Sequence, residues 1–212
     1  MKKIVFADIC MKDKAHFHKA CYKGTGNANS SYAEAVYYPI NAILADILKK
    51  DDEVKVVLIQ TFDESDENEK SKKENNTQAF KDELDKINKA IGAKINYVEV
   101  KSDYNQFKEN HEKRIMVILD QMEEGAELYG DITYGPRTVP MVIMCAFAFA
   151  EKFYDANIKK IVYGQVKWNN DKPVDPKLFD ISSLHYLNSL TYNMQPDTKE
   201  EAMKALKLFF SL

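Results

Sequence analysis

Glycine, proline and cysteine are scarce in this sequence. Its 212 residues include 7 glycines, 6 prolines and 3 cysteines. Because the few glycines and prolines follow no period, they exclude a collagen-like or low-complexity chain. Hydrophobic residues make up 45% of the chain, which excludes a wholly disordered protein and is sufficient for a substantial core. We therefore expect one folded domain over residues 1–212.

The sequence also lacks an excess of one charge and any metal-ligand spacing. The 30 Lys and Arg residues nearly balance the 33 Asp and Glu residues, which argues against a generally basic binder of duplex nucleic acid. Cys10, Cys21 and Cys145 are an odd number at irregular spacing, which indicates reduced thiols in a cytoplasmic protein. His16 and His18 have no clear third ligand, so we expect a polar loop there, and neither a metal nor a cofactor.

Long apolar runs are missing as well. The run after the N-terminal lysines, Ile4–Ala7, ends at Asp8 and is too short for the core of a signal peptide. The longest run, Val139–Ala150, has 12 residues and contains Pro140, whereas a membrane span needs about 20. We expect no membrane segment, and a buried core helix in the second run.

Short β-branched runs alternate with helical periods along the chain. The predicted strands are Lys3–Ile9, Val54–Phe62, Ala93–Val100, Glu127–Tyr134 and Ile158–Gln165. The predicted helices begin at Pro39, contain the stripe from Phe80 to Ile91, and cover Phe107–Met122, Arg137–Asp155, Ser183–Met194 and Thr198–Leu212. This alternation predicts an α/β, Rossmann-like fold with a mainly parallel central sheet flanked by helices.

Three segments interrupt the alternation. Tyr32–Tyr38 is predicted to be extended, since a helix there would place Pro39 in its interior at a cost of roughly 3 kcal/mol. Asp63–Asn76 is almost wholly polar and is predicted to be a solvated loop or a lead-in to the next helix. The turn-rich residues after Trp168 indicate a hairpin or an excursion. His111 and His185 lie on predicted helices and are expected at the surface or at a cap.

The segment Asp131–Arg137 (DITYGPR) is the sharpest candidate for chemistry. It follows a predicted strand and opens a helix, and ligands in open α/β sheets bind at such positions. A helix N-terminus favours anions and mildly disfavours a cation. Arg137 in the first turn is therefore better explained if one anion is bound by both the helix N-terminus and the arginine. The residues alone leave this interpretation and an ordinary polar turn equally open.

Gly24-Thr25-Gly26-Asn27 (GTGN) is a weaker candidate. Small residues and amides in a loop suit close approach of the backbone to a phosphate or a ribose. A flexible loop is the alternative, and Asn29 at the place of the third glycine breaks the dinucleotide fingerprint. The neighbouring tyrosines could equally stack nucleobases or pack in the core. They are Tyr22, Tyr32, Tyr37 and Tyr38.

Together, GTGN and DITYGPR…P resemble the CRISPR-associated Rossmann-fold (CARF) domains. The most similar branch carries a D-x-T-H-G-x-R-x-x-P signature. It is matched here by Asp131, Thr133, Gly135, Arg137 and Pro140. VYGQ (Val162–Gln165) and LFDIS (Leu178–Ser182) fall where that branch has similar stretches, so the resemblance covers nearly the whole chain.

The resemblance implies a homodimeric sensor of cyclic oligoadenylates, the second messengers of type III CRISPR antiviral defence. It implies a ligand pocket lined by the two segments. The ligand-binding residues expected on this basis are Gly24, Thr25, Gly26, Asn27, Asp131, Thr133, Tyr134, Gly135 and Arg137. The chain ends soon after the sensor region, so it is expected to act alone, with an effector protein, or as the sensor part of a longer protein.

Tyr134 stands where this branch usually has histidine. A tyrosine hydroxyl can donate a hydrogen bond to a phosphate, but it is a poor general base at its ordinary pKa. We therefore expect binding of the ring with slow or no cleavage.

Two other functions are weighed against the sensor. A ring nuclease would need no metal, because alignment and charge stabilisation suffice for a ribose 2′-OH to attack the adjacent phosphate. The sequence leaves the sensor and the nuclease open, together with the ring size. A nucleotide-binding oxidoreductase is disfavoured by the broken glycine fingerprint.

Overall fold

One sheet of seven strands organises the computed structural model, which describes residues 2–25, 28–170 and 172–211. The strands are β1 (Lys2–Asp8), β2 (Lys23–Thr25), β3 (Glu53–Phe62), β4 (Lys94–Asp103), β5 (Glu127–Asp131), β6 (Asn157–Asn169) and β7 (Lys172–Asp180). Their order across the sheet is β2-β7-β6-β5-β1-β3-β4. All neighbours are parallel except β6 and β7, so the predicted Rossmann-like, mainly parallel fold is confirmed.

Helices cover both faces of the sheet. They are α1 (Pro39–Ile47), α2 (Glu67–Ile91), α3 (Lys108–Leu119), α4 (Thr138–Phe153), α5 (Ser182–Asn193) and α6 (Lys199–Phe209). Side chains alternate along a strand, so β1 supplies two cores. Val5 and Ala7 pack in a cluster with α1 and α2, whereas Ile4 and Phe6 pack in a cluster with α3 and α4. In the described residues, no helix combines the length and apolar character that crossing a bilayer requires.

The order of the strands reverses between β1 and β5. β3 and β4 follow β1 on one side, and β6 and β7 follow β5 on the other. Ala7 pairs with Asp131, so the carboxyl ends of the two strands lie at the same level. Open α/β sheets bind ligands at the carboxyl ends of the strands at such a switch point. The segment Asp131–Arg137, named the switch-point turn below, begins here.

The irregular segments agree with the sequence in part. Tyr32–Tyr38 is non-helical, as predicted, and β6 and β7 form the hairpin indicated after Trp168. The prediction of a solvated loop or lead-in over Asp63–Asn76 is wrong from Glu67 onward, because α2 begins there and its first turns bury two polar side chains against the end of β1. β5 ends at Asp131 instead of continuing to Tyr134.

His185 also differs from its prediction. It lies on α5 as expected, but it is buried instead of being at the surface or at a cap. Its Nε2 atom is 3.0 Å from a carboxylate oxygen of Glu151 on α4, so this pair joins the two helices.

Candidate functional site

Asp131 fastens the switch-point turn to the N-terminus of α1. The side chain is buried, and its two oxygens accept hydrogen bonds from the backbone N–H groups of Thr133 (2.9 Å) and Ile40 (3.2 Å). The second bond satisfies one of the N–H groups that a helix leaves unpaired at its start. Burial raises the pKa of Asp131 from 3.8 to about 6, against the lowering effect of these bonds.

Thr133 ties the turn to the neighbouring strand. Its Oγ1 atom accepts a hydrogen bond of 2.9 Å from the backbone N–H of Gly164, which lies on β6 just beyond the last residue paired with β5. The Thr133 side chain is therefore partly engaged inside the protein and partly exposed at the carboxyl edge.

Tyr134 points into a cluster of aromatic rings. Its hydroxyl donates a hydrogen bond of 3.0 Å to the backbone oxygen of Tyr37. The ring lies edge-on to Phe17 and Tyr38, with centroids 5.8 and 5.4 Å away. Burial raises the pKa of Tyr134 well above its ordinary value of 10.0, and the nearby Tyr22 adds to this effect. The hydroxyl that could serve a phosphate is thus used to hold the backbone of Tyr37.

Gly135 allows the turn to lie directly on the end of β1. It has a φ of +93°, in the region that favours glycine. A Cβ atom at this position would be 2.5 Å from the Cγ atom of Asp8, closer than real side chains approach. Any larger residue would have to push the turn away from the switch point.

Asp8 is itself held by a buried lysine. Lys73 of α2 places its Nζ atom 3.1 Å from a carboxylate oxygen of Asp8, and it also donates to the backbone oxygen of Ile9. The other carboxylate oxygen accepts from the hydroxyl of Thr61 at 3.1 Å. Both members of the ion pair are almost completely buried, so each depends on the other for compensation of its charge. Burial raises the pKa of Asp8, while Lys73 acts to lower it.

Arg137 is the exposed charged residue of the switch-point turn. It precedes α4 directly and has helical backbone angles, with φ −58° and ψ −19°. Its side chain is exposed, and no hydrogen-bond or ion-pair partner occurs for it in residues 2–25, 28–170 and 172–211. The guanidinium group is therefore free to meet an anion at the positive end of α4.

The described part of the glycine segment lies on the sheet and not in a loop. Gly24 and Thr25 belong to the edge strand β2, while Gly26 and Asn27 lie outside the described residues. The hydroxyl of Thr25 donates to the backbone oxygen of Leu178 at 2.8 Å. A Cβ atom on Gly24 would be 2.5 Å from the backbone oxygen of Ala28, so a close backbone approach accounts for this glycine without a ligand.

The two segments still face the same edge of the sheet. Gly24 pairs with Leu178, which pairs with Gly164, and Gly164 bonds to Thr133. Two strand spacings, about 10 Å, separate Gly24 from Gly164. A ligand that contacts both segments must therefore span at least about 10 Å.

All four neighbouring tyrosines pack in the core or against it, and Tyr32 and Tyr37 are the partly buried members. Tyr22 and Tyr38 are buried, which favours packing for both. Tyr37 stacks on Phe17 with 4.7 Å between centroids and lies beneath the ammonium of Lys19.

No group of three or more His, Cys, Asp or Glu side chains within the described ranges could hold a metal ion.

Sequence reasoning did not find Lys73, Asn76 and Asp8. They stand in a polar stretch and at a strand end, and only the contact between α2 and β1 shows their role.

Comparison with known proteins does not add a family: no protein-family model matches this chain, and no curated protein is significantly similar to it.

Proposed function

We propose that this chain is a cyclic oligoadenylate-binding sensor of type III CRISPR antiviral defence, acting in the cytoplasm as a homodimer that signals to an effector domain or protein. One observation carries the proposal. The D-x-T-x-G-x-R-x-x-P segment lies at the topological switch point and presents Arg137 to solvent at the start of α4. This is the position at which the fold is best suited to bind a phosphate-containing ligand.

The contacts of the turn support binding to a rigid, preformed site. Asp131, Thr133, Tyr134 and Gly135 are each held by α1, β6, the aromatic cluster or β1. A fixed backbone loses little freedom when a ligand binds, so Arg137 can use its charge-assisted hydrogen bonds for affinity.

The outer face of α4 supports the homodimer. Met141, Phe149 and Phe153 are exposed, with relative accessibilities of 66%, 43% and 62%, and Cys145 lies exposed between them. These positions recur at intervals of four residues, so they form one stripe that begins a turn after Arg137. A helix that is apolar all round is normally covered, and a second copy of this chain would cover the stripe.

Two-fold pairing along α4 with both helix N-termini on the same side would bring two copies of Arg137 toward one ring. A cyclic oligoadenylate with an even number of units has two-fold symmetry of its own, so each protomer could bind half of it. Movement between the protomers would then be the signal, limited by the difference in the ring's affinity for the two dimer states.

Binding is favoured over cleavage. Tyr134 donates its hydroxyl to Tyr37, and burial raises its pKa, so it is unsuited to accept a proton near neutral pH. We therefore propose no catalytic residue.

The test is incubation of the protein with labelled cyclic tri-, tetra- and hexa-adenylate, with both retention and cleavage scored. Wild-type protein should retain at least one ring without opening it. Arg137→Ala should weaken binding by ~1.5–3 kcal/mol, the scale of a charge-assisted hydrogen bond, whereas Lys199→Ala on α6 should have no effect. Rapid metal-independent conversion to linear products with 2′,3′-cyclic phosphate ends would instead identify a ring nuclease.

The dimer is tested separately by light scattering at micromolar concentration. Wild-type protein should have the mass of two chains. Phe149→Asp should yield monomers because it would bury two unpaired carboxylates at the pairing face. Leu208→Asp replaces another exposed apolar residue, on α6, and should leave the dimer intact. A monomeric wild type, with and without the rings, would rule out this assembly.

A further inference from the structure

The β6–β7 hairpin extends well past the carboxyl edge of the sheet. Val162 is the last residue of β6 that pairs with β5, and β6 then continues to Asn169. We call residues 163–170 and 172–179 the hairpin arm. At about 3.3 Å per residue, the arm rises on the order of 20 Å beyond the switch point.

Trp168 lies near the tip of this arm, opposite Pro173. Two side chains of the segment between β1 and β2 contact it. The Nζ atom of Lys12 is 5.1 Å from the centroid of the indole ring, and the ring of His18 is 5.9 Å from it. The segment therefore runs from the switch point to the arm and joins the two.

The backbone of Lys12 is held in place from below. Asn76 of α2 donates hydrogen bonds of 2.9 Å to the backbone oxygens of both Cys10 and Lys12. The same first turns of α2 carry Lys73, which binds the end of β1. The position of Lys12 is thus fixed by the elements that fix the switch-point turn.

The side chains of Trp168 and Lys12 are accessible to a ligand. Trp168 has 36% of its surface exposed, and Lys12 is exposed without an ion-pair partner in the part of the chain that the structure describes. The Nε2 atom of His18 is buried and has no hydrogen-bond partner in the same part of the chain. A partly exposed indole offers a surface for a nucleobase, and the ammonium group over its ring offers a charge for the adjoining phosphate.

We propose that Trp168 and Lys12 form a nucleotide subsite, in which one adenine stacks on the indole while Lys12 binds the neighbouring phosphate. This subsite rests on the proposed function and deepens it. It assigns the ring a second contact on each protomer, on the hairpin arm, in addition to Arg137 at the switch point. Stacking tolerates any base, so this subsite contributes affinity and holds the ring in position, and base selection falls to other contacts.

The experiment uses the full chain and its single tryptophan. Because no other indole is present, intrinsic tryptophan fluorescence reports on Trp168 alone. Cyclic tri-, tetra- and hexa-adenylate are titrated into the protein, and calorimetry measures the Kd of the same samples. A ring that binds should quench the fluorescence with a midpoint that matches the calorimetric Kd.

Variants separate stacking from charge. Trp168→Leu should weaken binding by about 5- to 100-fold, whereas Trp168→Phe should retain most of the affinity because it keeps an aromatic face. Lys12→Met should weaken binding and reduce its dependence on salt. Tyr192→Leu removes another exposed aromatic ring, on α5, and is the matched control that should change nothing.

The outcomes distinguish the subsite from the function. Binding measured by calorimetry with unchanged fluorescence, and with an unchanged Kd for Trp168→Leu, would overturn the subsite and leave the sensor in place. If wild-type protein gives no heat of binding with any of the three rings, the proposed function fails and the subsite fails with it.

Discussion

The switch-point turn and the hairpin arm differ in how they use their polar and aromatic side chains. In the turn, the side chains of Asp131, Thr133 and Tyr134 form hydrogen bonds with other parts of the protein. On the arm, Trp168 keeps an exposed surface, as Arg137 does at the end of the turn. The comparison shows that most side chains of the turn hold its shape, whereas Arg137 and Trp168 keep exposed surface.

This difference predicts two kinds of mutational effect. Substitutions in and beneath the turn should lower the free energy of unfolding, and those at exposed residues should lower affinity with little change in stability. The following three predictions concern residues in and beneath the turn, in order of decreasing effect.

The largest effect is expected from Lys73→Met. Lys73 is buried against Asp8, and removing one member of a buried ion pair leaves the other charge uncompensated. We expect the free energy of unfolding to fall by about 3–5 kcal/mol, measured by urea denaturation at neutral pH.

The double variant Asp8→Asn/Lys73→Met provides the control for this charge effect. Removing both charges should restore much of the lost stability, because asparagine keeps an acceptor for Thr61 without a buried charge. A loss below about 1 kcal/mol in Lys73→Met, or no recovery in the double variant, would mean that the pair does not support the turn.

Lys73 also shows which kind of contact cannot be predicted from the sequence. The strands and helical stripes were predictable because their periods are local, and the turn was predictable because it follows a strand and opens a helix. Lys73 contacts Asp8, which lies 65 positions earlier in the sequence. Nothing in the polar stretch around Lys73 indicates that its side chain is buried. β2 was missed for a similar reason: its three residues are ordered by pairing with β7, about 150 positions later.

The second prediction concerns pH. Burial raises the pKa of Asp131 from 3.8 to about 6, so the folded protein retains a proton that the unfolded chain releases. Between those two values the folded state binds more protons at Asp131, so the contribution of this group to stability falls as the pH rises from about 4 to about 6 and then levels off. The full effect is about 3 kcal/mol.

Asp131→Asn isolates this contribution. The difference in the free energy of unfolding between wild type and variant, measured by urea denaturation across this pH range, should shift against the wild type as the pH rises. The subtraction removes groups common to both proteins, including Asp8. A difference that stays constant, or one that shifts in favour of the wild type, would contradict a raised pKa.

The smallest effect is expected from Tyr134→Phe. The hydroxyl donates one hydrogen bond to the backbone oxygen of Tyr37, and the ring keeps its contacts with Phe17 and Tyr38 in the variant. Loss of that bond should cost about 1 kcal/mol in thermal or urea unfolding. If Tyr134 belongs to the turn's internal framework, the variant should bind cyclic tetra-adenylate with nearly the same Kd as the wild type. A tenfold weaker Kd with unchanged stability would instead show that this hydroxyl contacts the ligand. Tyr134 would then belong with Arg137 among the contact residues of the turn.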